Sequence, residues 1–147
     1  MLNNLRAKDE SLFRRWRAGD ARYPAVLDDY AFFIQALLDL YETTLEATWL
    51  EEAVRLSDLM IRNLSDKTNG GFFLSEPRPD LLAQSKEAYD GAIPSGNSVA
   101  ANNLIRLAEL TGNTKYQENA DSTVKAFSSS LKRHPAGFPQ MLLAWDH

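Results

Sequence analysis

The sequence predicts an all-helical fold of two αα-hairpins, and a pattern that occurs twice carries this prediction. Two segments, near residues 28–44 and 96–111, are apolar on almost every side, which is typical of helices buried on most faces. Each precedes a segment, near residues 48–64 and 114–132, whose apolar residues recur at spacings of three and four between charged ones. A buried inner helix followed by an amphipathic outer helix is therefore predicted twice.

An internal repeat supports the same fold. The two halves align at an offset of 67 residues, which places Leu37 on Leu104, Trp49 on Tyr116 and Gly70 on Gly137. Each repeat should contain a buried helix, a short link, an amphipathic helix and a Gly-aromatic hairpin. Such units bury their apolar faces only by stacking side by side. We therefore expect one domain over residues 1–147, with repeat one at about 25–75 and repeat two at about 92–140.

The segments outside the helices contain turn-forming residues. Residues 11–24 suggest two short extended arms around Gly19 and Asp20, and residues 71–75 suggest at most a short strand after Gly70. Residues 1–10 suggest the tail of a helix whose beginning is absent, so the chain is expected to be a fragment. Because its inner helices would lack neighbours, we also expect the fragment to self-associate.

Composition excludes several classes of function. A net charge of −4 and the shortness of the basic run at 14–17 argue against nucleic acid or an anionic membrane as partner. The absence of cysteine excludes disulfides and thiolate metal sites from this chain, and only His134 and His147 are histidines. We predict no metal and no cofactor. No signal peptide or membrane span is evident, so a cytoplasmic location is expected.

The stretch from Glu87 to Ser98 is the most informative part of the chain. It combines carboxylates, a phenol and a Pro-Ser-Gly entry directly before an apolar helix. Pro94 bars helix before that point, and Ser95 or Asn97 can cap the helix. Free N–H groups at a helix start favour a carboxylate, a phosphate or a sugar hydroxyl nearby.

Three stretches together resemble a known family. Leu27 to Phe32, Asn69 to Phe73 and Glu87 to Ala101, in this order, are similar to the C-terminal half of thioredoxin-domain-containing proteins of the spermatogenesis-associated type. The resemblance implies part of an (α/α)6 toroid similar to the N-acylglucosamine 2-epimerase and six-hairpin glycosidase folds. It also implies that the family's thioredoxin-like domain is absent from this chain. Epimerases of the related fold use paired histidines, which this chain does not match.

In toroids of this type the loops before the inner helices share one rim, where ligand enters. By the repeat offset, Asp28 and Asp29 precede the first inner helix as Ser95 and Gly96 precede the second. Carboxylates in an apolar funnel suit acid and base work on sugars. The predicted catalytic residues are Asp29, Glu87 and Asp90. The predicted ligand-binding residues are Asp28, Tyr30, Tyr89, Ser95, Asn97 and Asn102.

Each of these residues also has a structural interpretation. An aspartate at a helix start commonly serves as a cap, aromatic rings in a buried helix are usually core, and a buried amide commonly bonds a neighbouring helix. Three hypotheses therefore remain open. The chain is a module that binds a ligand or partner, a carbohydrate-active enzyme that uses rim carboxylates, or a purely structural repeat. A carbohydrate or small metabolite is the expected ligand.

Overall fold

A computed structural model describes residues 2–77 and 83–146, with backbone only for residues 2 and 3. Two helical hairpins form its body, preceded by a two-stranded antiparallel sheet. The elements are α1 (Leu2–Leu5), β1 (Phe13–Arg17), β2 (Asp20–Pro24), α2 (Leu27–Thr44), α3 (Ala47–Leu64), α4 (Gly96–Thr111), α5 (Thr114–Arg133), a 3-10 turn (Pro135–Gly137) and α6 (Pro139–Trp145). The predicted fold class is confirmed, and each of the four long helices begins and ends within one residue of its predicted position.

The burial of each helix follows its pattern of apolar residues. The inner helices α2 and α4 pack against each other, α2 also packs against α3, and α4 also packs against α5 and α6. Most side chains of α4 are consequently buried, whereas α5 buries only the stripe that contains Tyr116, Ala120 and Leu131. Asn103, buried in α4, donates from Nδ2 to the carbonyl oxygen of Ala31 at 2.7 Å and ties the two inner helices together.

The two hairpins also share the way in which their inner helices end. Leu45 after α2 and Gly112 after α4 both adopt left-handed backbone angles, with φ of 57° and 68°. Each donates its N–H to the carbonyl oxygen four residues earlier, at 2.7 Å for Leu45 and 2.8 Å for Gly112. The repeat offset aligns these two positions, so the same left-handed cap recurs although only the second repeat has the favoured glycine.

The two links predicted after the outer helices differ in outcome. Residues 71–75 form no regular strand, but Phe72 makes an isolated antiparallel bridge with Ser65 and Phe73 donates its N–H to Leu64, so a short hairpin-like link follows α3. The link predicted after α5 is wrong. After α5, the predicted Gly-aromatic hairpin is replaced by the 3-10 turn and α6, each of which has a proline in its first turn. Proline lacks an N–H and its φ suits a helix start, so it favours this outcome. The predicted hairpin at 11–24 is confirmed.

Within the described residues, no helix is both long and apolar enough to cross a membrane. Several large apolar side chains are nevertheless exposed at one end of the body. Leu142, Leu143 and Trp145 on α6 are 37%, 58% and 43% exposed.

We expect the isolated chain to self-associate, because a contiguous apolar patch of this kind is rarely left in water. Light scattering coupled to size exclusion should show a mass that rises with protein concentration. Leu143→Glu should shift the population toward monomer, since the charge disfavours burial of this face. A mass equal to one chain across the whole concentration range would contradict the prediction.

Candidate functional site

A cleft of about 260 Å³ opens where α2 and α4 begin. The cleft is lined by residues of the loop from Glu87 to Pro94 and by the first residues of α2 and α4. Of the residues predicted from the sequence, the cleft is lined by Asp28, Glu87, Tyr89, Ser95 and Asn97. The structure thus brings together five predicted residues that are up to 69 positions apart in the chain.

Asp28 is the most perturbed carboxyl group in this cleft. Its side chain packs against the backbone of Gly96, where a Cβ atom would overlap Asp28 Oδ1. Burial raises the pKa of Asp28, and the nearby carboxylates of Asp29 and Glu87 raise it further. The N–H of Gly96 and the guanidinium of Arg14 oppose this rise in pKa. A carboxyl group in such a setting can donate a proton as well as accept a hydrogen bond.

Glu87 and Tyr89 also line this cleft, and both side chains are exposed. Within the described part of the chain, no hydrogen bond or ion pair engages the Glu87 carboxylate. The ring of Tyr89 is 55% exposed and meets Phe138 edge-on, with 6.0 Å between ring centroids. The cleft therefore presents an available carboxylate and a partly anchored aromatic ring to solvent.

Asp29 faces a neighbouring cleft of about 480 Å³, which is lined also by Asp28, Arg14, Phe32 and other apolar residues. Its Oδ2 accepts the N–H of Val26 at 2.9 Å and lies 3.6 Å from Arg14 Nε. Asp29 thus caps α2 while contributing negative charge beside Asp28.

Asp90 is buried, and both of its carboxylate oxygens accept backbone hydrogen bonds. Oδ1 accepts from Ser95 at 2.9 Å, and Oδ2 accepts from Gln140 at 2.9 Å and Met141 at 3.3 Å. These donors lie at the starts of α4 and α6. Asp90 therefore connects the loop to two helix N-termini, and its carboxylate is directed to these N–H groups and not into the cleft.

Ser95 and Asn97 organise the start of α4 in a similar way. Ser95 Oγ accepts the N–H of Ser98 at 3.1 Å, which confirms that Ser95 is the N-cap residue. Asn97 is fully buried: its Oδ1 accepts from Phe72 N at 2.8 Å, and its Nδ2 donates to the carbonyl oxygens of Phe72 and Glu87 at 2.9 and 2.8 Å. All three hydrogen bonds hold the surrounding loops in place.

The remaining predicted residues, Tyr30 and Asn102, lie away from the cleft lining. Tyr30 is 2% exposed, its hydroxyl accepts the N–H of Leu12 at 3.1 Å, and burial raises its pKa. Asn102 donates from Nδ2 to the carbonyl oxygens of Ser98 at 2.9 Å and Gln140 at 2.8 Å. Asn102 thereby joins α4 to α6, the inter-helix role that was one alternative for a buried amide.

Sequence reasoning missed two basic residues that shape the site. Arg14 appeared only as part of a short charged run, yet it lies beside Asp29. Lys86 Nζ contacts Asp66 Oδ2 at 2.7 Å and the carbonyl oxygen of Gly70 at 3.0 Å, which anchors the chain directly before Glu87. The position of Lys86 directly before the stretch from Glu87 to Ser98 is the sequence signal that could have identified this residue. Among the described residues, no group of three carboxylates and histidines could hold a metal ion.

Comparison with known proteins identifies relatives of the chain, although no family model matches it. It is 43% identical over 120 residues to spermatogenesis-associated protein 20 of Rattus norvegicus, and 42% identical over 120 residues to that of Homo sapiens. Each alignment covers 80% of this chain and 15% of the relative. An uncharacterized protein of Caenorhabditis elegans is 36% identical over 127 residues, covering 86% of this chain and 17% of that protein.

A solved structure shares the fold. The GH76 alpha-mannanase of Bacteroides thetaiotaomicron superimposes with a TM-score of 0.61 at 16% identity, covering 82% of this chain and 32% of the mannanase. At this identity the likeness shows the fold alone. The resemblance stated from the sequence is thereby confirmed. The chain is similar to one segment of spermatogenesis-associated protein 20, and its two hairpins have the fold of part of an α/α toroid.

Proposed function

We propose that the cleft between Asp28 and Glu87 binds a small polyhydroxylated ligand, with a carbohydrate as the first class to test. The convergence of these two carboxyl groups with the exposed ring of Tyr89 in one cleft carries the proposal. Sugar hydroxyls donate readily to carboxylates, and the C–H face of a sugar ring packs on an aromatic ring. A cleft with a few convergent polar groups on an apolar lining is the usual form of a small-molecule site.

The hydrogen bonds made by the polar residues around the cleft support the choice of Glu87 as a ligand-binding residue. Asp29, Asp90, Ser95 and Asn97 all direct their oxygens to backbone N–H groups, so their roles in shaping the loop account for them. Glu87 has no such partner among the described residues. A polar side chain that does not support the fold and faces a cleft is the better candidate for ligand binding.

A second candidate function is acid and base chemistry on the same ligand. The observation that favours this second function is the raised pKa of Asp28, which is caused by burial and by the charges of Asp29 and Glu87. A protonated carboxyl group opposite an ionised one is the arrangement that proton transfer to a glycosidic oxygen requires. Asp28 would supply the proton, and Glu87 would be the second carboxyl group of the pair. The likeness to an alpha-mannanase favours carbohydrates as the compounds to screen. That the full-length protein acts on a carbohydrate is likewise a proposal.

Binding is tested by thermal shift of the 147-residue chain with methyl glycosides of glucose, mannose, galactose and N-acetylglucosamine. A ligand that binds only the folded state raises the melting temperature. Glu87→Gln should weaken the affinity by about tenfold or more, because a hydrogen bond to a charged group contributes about 1.5–3 kcal/mol. Glu118→Gln, which removes an exposed carboxylate on α5, is the matched control and should leave affinity unchanged. The proposal fails if no glycoside shifts the melting temperature, or if Glu87→Gln responds as the wild type does.

Asp28→Asn should show how the carboxyl group of Asp28 affects the stability of the fold, apart from any role in ligand binding. Because the folded state raises the pKa of Asp28, it binds this proton more tightly than the unfolded chain does. The stabilisation that comes from binding this proton is fully present below the usual carboxyl pKa. It is lost as the pH rises through the raised pKa of Asp28.

Asp28→Asn should therefore melt at a higher temperature than the wild type at pH 7, and the difference should vanish near the acid end of the titration. Melting curves between these limits measure the effect. A variant less stable than the wild type at neutral pH would show that the ionised form of Asp28 is itself a stabilising group.

A further inference from the structure

The β1–β2 hairpin is opposite in charge to the rest of the chain. Residues 13–24 contain four arginines and one aspartate, a net charge of +3. Because the whole chain carries −4, the remaining residues carry −7. All side chains from Arg14 to Asp20 are exposed, and two aromatic residues of the hairpin, Trp16 and Tyr23, are 48% and 59% exposed. The β1–β2 hairpin, here called the arm, is thus basic and aromatic, whereas the remaining residues, here called the body, are acidic.

The strand register gathers three of the arginines on one face. Arg15 lies opposite Arg22, and Arg17 lies opposite Asp20, so the three arginines share a face with Asp20, which forms an ion pair with Arg22 and leaves Arg15 and Arg17 as the cations available to a partner. Arg15 also sits over the ring of Tyr23, with 5.3 Å from its guanidinium carbon to the ring centroid. Arg14 belongs to the other face, where it pairs with Asp29 at the base of the arm. That ion pair, with 3.6 Å between Arg14 Nε and Asp29 Oδ2, brings the start of β1 next to the start of α2.

The arm keeps local features that lower its own stability. Arg15 and Arg22 are like charges in directly opposed positions, which disfavours strand pairing. Ala18 in the turn and Tyr23 in β2 have φ of 51° and 65°, angles that residues with a Cβ rarely adopt. Strain of this kind concentrates at functional segments. The hairpin therefore has the character of a binding element more than that of a scaffold.

We propose that the β1–β2 hairpin is a docking arm for an acidic polypeptide segment that lies extended along it. Carboxylates two residues apart in an extended strand are about 7 Å apart, which matches the spacing of Arg15 and Arg17 along β1. Guanidinium groups form paired hydrogen bonds with carboxylates. In the described chain, no strand pairs with the outer edge of β1 from Phe13 to Arg17, so a polypeptide can add to that edge beside Arg15 and Arg17.

A nucleic acid fits these observations less well. Its phosphates would extend beyond the short arm onto a body of charge −7, which includes Asp28 and Asp29 near the base of the hairpin. A nucleic acid also has no backbone amides to pair with an open strand edge. A short acidic peptide can contact the arm alone, so its charge complementarity is not offset by the body.

The test is fluorescence anisotropy at low salt with the full chain and a labelled peptide of six Glu-Thr repeats. The double variant Arg15→Ala/Arg17→Ala should weaken binding by tenfold or more. Lys132→Ala/Arg133→Ala removes two exposed positive charges at the end of α5 and is the matched control, since the net charge changes equally. The control should bind within twofold of the wild type. Neither variant should lower the melting temperature.

Two further probes settle the identity and geometry of the partner. The same peptide with alternate backbone nitrogens methylated keeps its charge but cannot pair with a strand edge, so it should bind at least fivefold more weakly. A twelve-residue oligothymidylate should bind more weakly than the peptide. The proposal is overturned by absence of peptide binding, by equal losses in the two double variants, by undiminished binding of the methylated peptide, or by tighter binding of the oligothymidylate.

Discussion

Replacing Asp90 by asparagine is expected to lower the free energy of unfolding by about 2–3 kcal/mol. Both carboxylate oxygens of Asp90 accept backbone N–H groups, from Ser95 on one side and from Gln140 and Met141 on the other. An amide has one acceptor oxygen, so its NH2 group must face a donor on the other side. Because Asp90 is buried, water cannot take the place of the missing acceptor.

Urea unfolding followed by circular dichroism measures this loss, which corresponds to a melting temperature lower by roughly 5–10 °C for a chain of this size. Asp121→Asn is the control. Asp121 lies exposed on α5 and accepts one hydrogen bond, from Gln117. Its substitution should change stability by no more than about 0.5 kcal/mol. If Asp90→Asn leaves stability unchanged but abolishes glycoside binding, the sequence-based assignment of Asp90 to catalysis would be favoured instead.

The contrast between Asp90 and Asp28 shows how far the sequence predicted the site. The family resemblance implied that the loops before the inner helices share a rim, the repeat offset placed Asp28 at this rim, and the cleft does bring Asp28 together with Glu87 and Tyr89. The sequence could not show which carboxylates are engaged in hydrogen bonds that stabilise the fold. Asp90 is five positions before one of its donors and 50 before another, and only the packing of α6 brings the second donor to it.

The fold itself was predictable wherever one pattern of apolar residues persisted for several turns, on almost every side in α2 and α4 and at spacings of three and four in α3 and α5. The four long helices meet this condition. Residues 71–75 do not, because their backbone groups bond to distant partners, among them Asn97, which lies 25 positions from Phe72. The helix α6 was missed because seven residues are too few to establish a period. Its start depends on Pro139 and on the carboxylate of Asp90, an interaction made only in the folded chain.

The turn at Gly70 connects the first repeat to the loop that carries Glu87, and Gly70→Ala should be among the most destabilising substitutions in the chain. Gly70 has φ of 76°, and a Cβ there would overlap the backbone carbonyl oxygen of Ser122 in α5. Its own carbonyl oxygen accepts from Lys86 Nζ at 3.0 Å. Lys86 and nearby N–H groups hold the pKa of Asp66 well below its usual range, so the turn and the loop are joined by a charged contact.

We expect Gly70→Ala to cost about 2–4 kcal/mol, the sum of an unfavourable φ and a forced shift of α5. Gly112→Ala is the matched control, because Gly112 has a similar φ of 68° but no atom within 4 Å of the added Cβ. That variant should lose only about 1 kcal/mol, so the difference in unfolding free energy between the two measures the steric part alone. Equal losses would mean that α5 moves away freely, and the turn would then not fix the position of Lys86 and Glu87. A larger loss in Gly70→Ala, accompanied by weaker glycoside binding, would show that the close approach of this turn to α5 also holds the wall of the cleft in place.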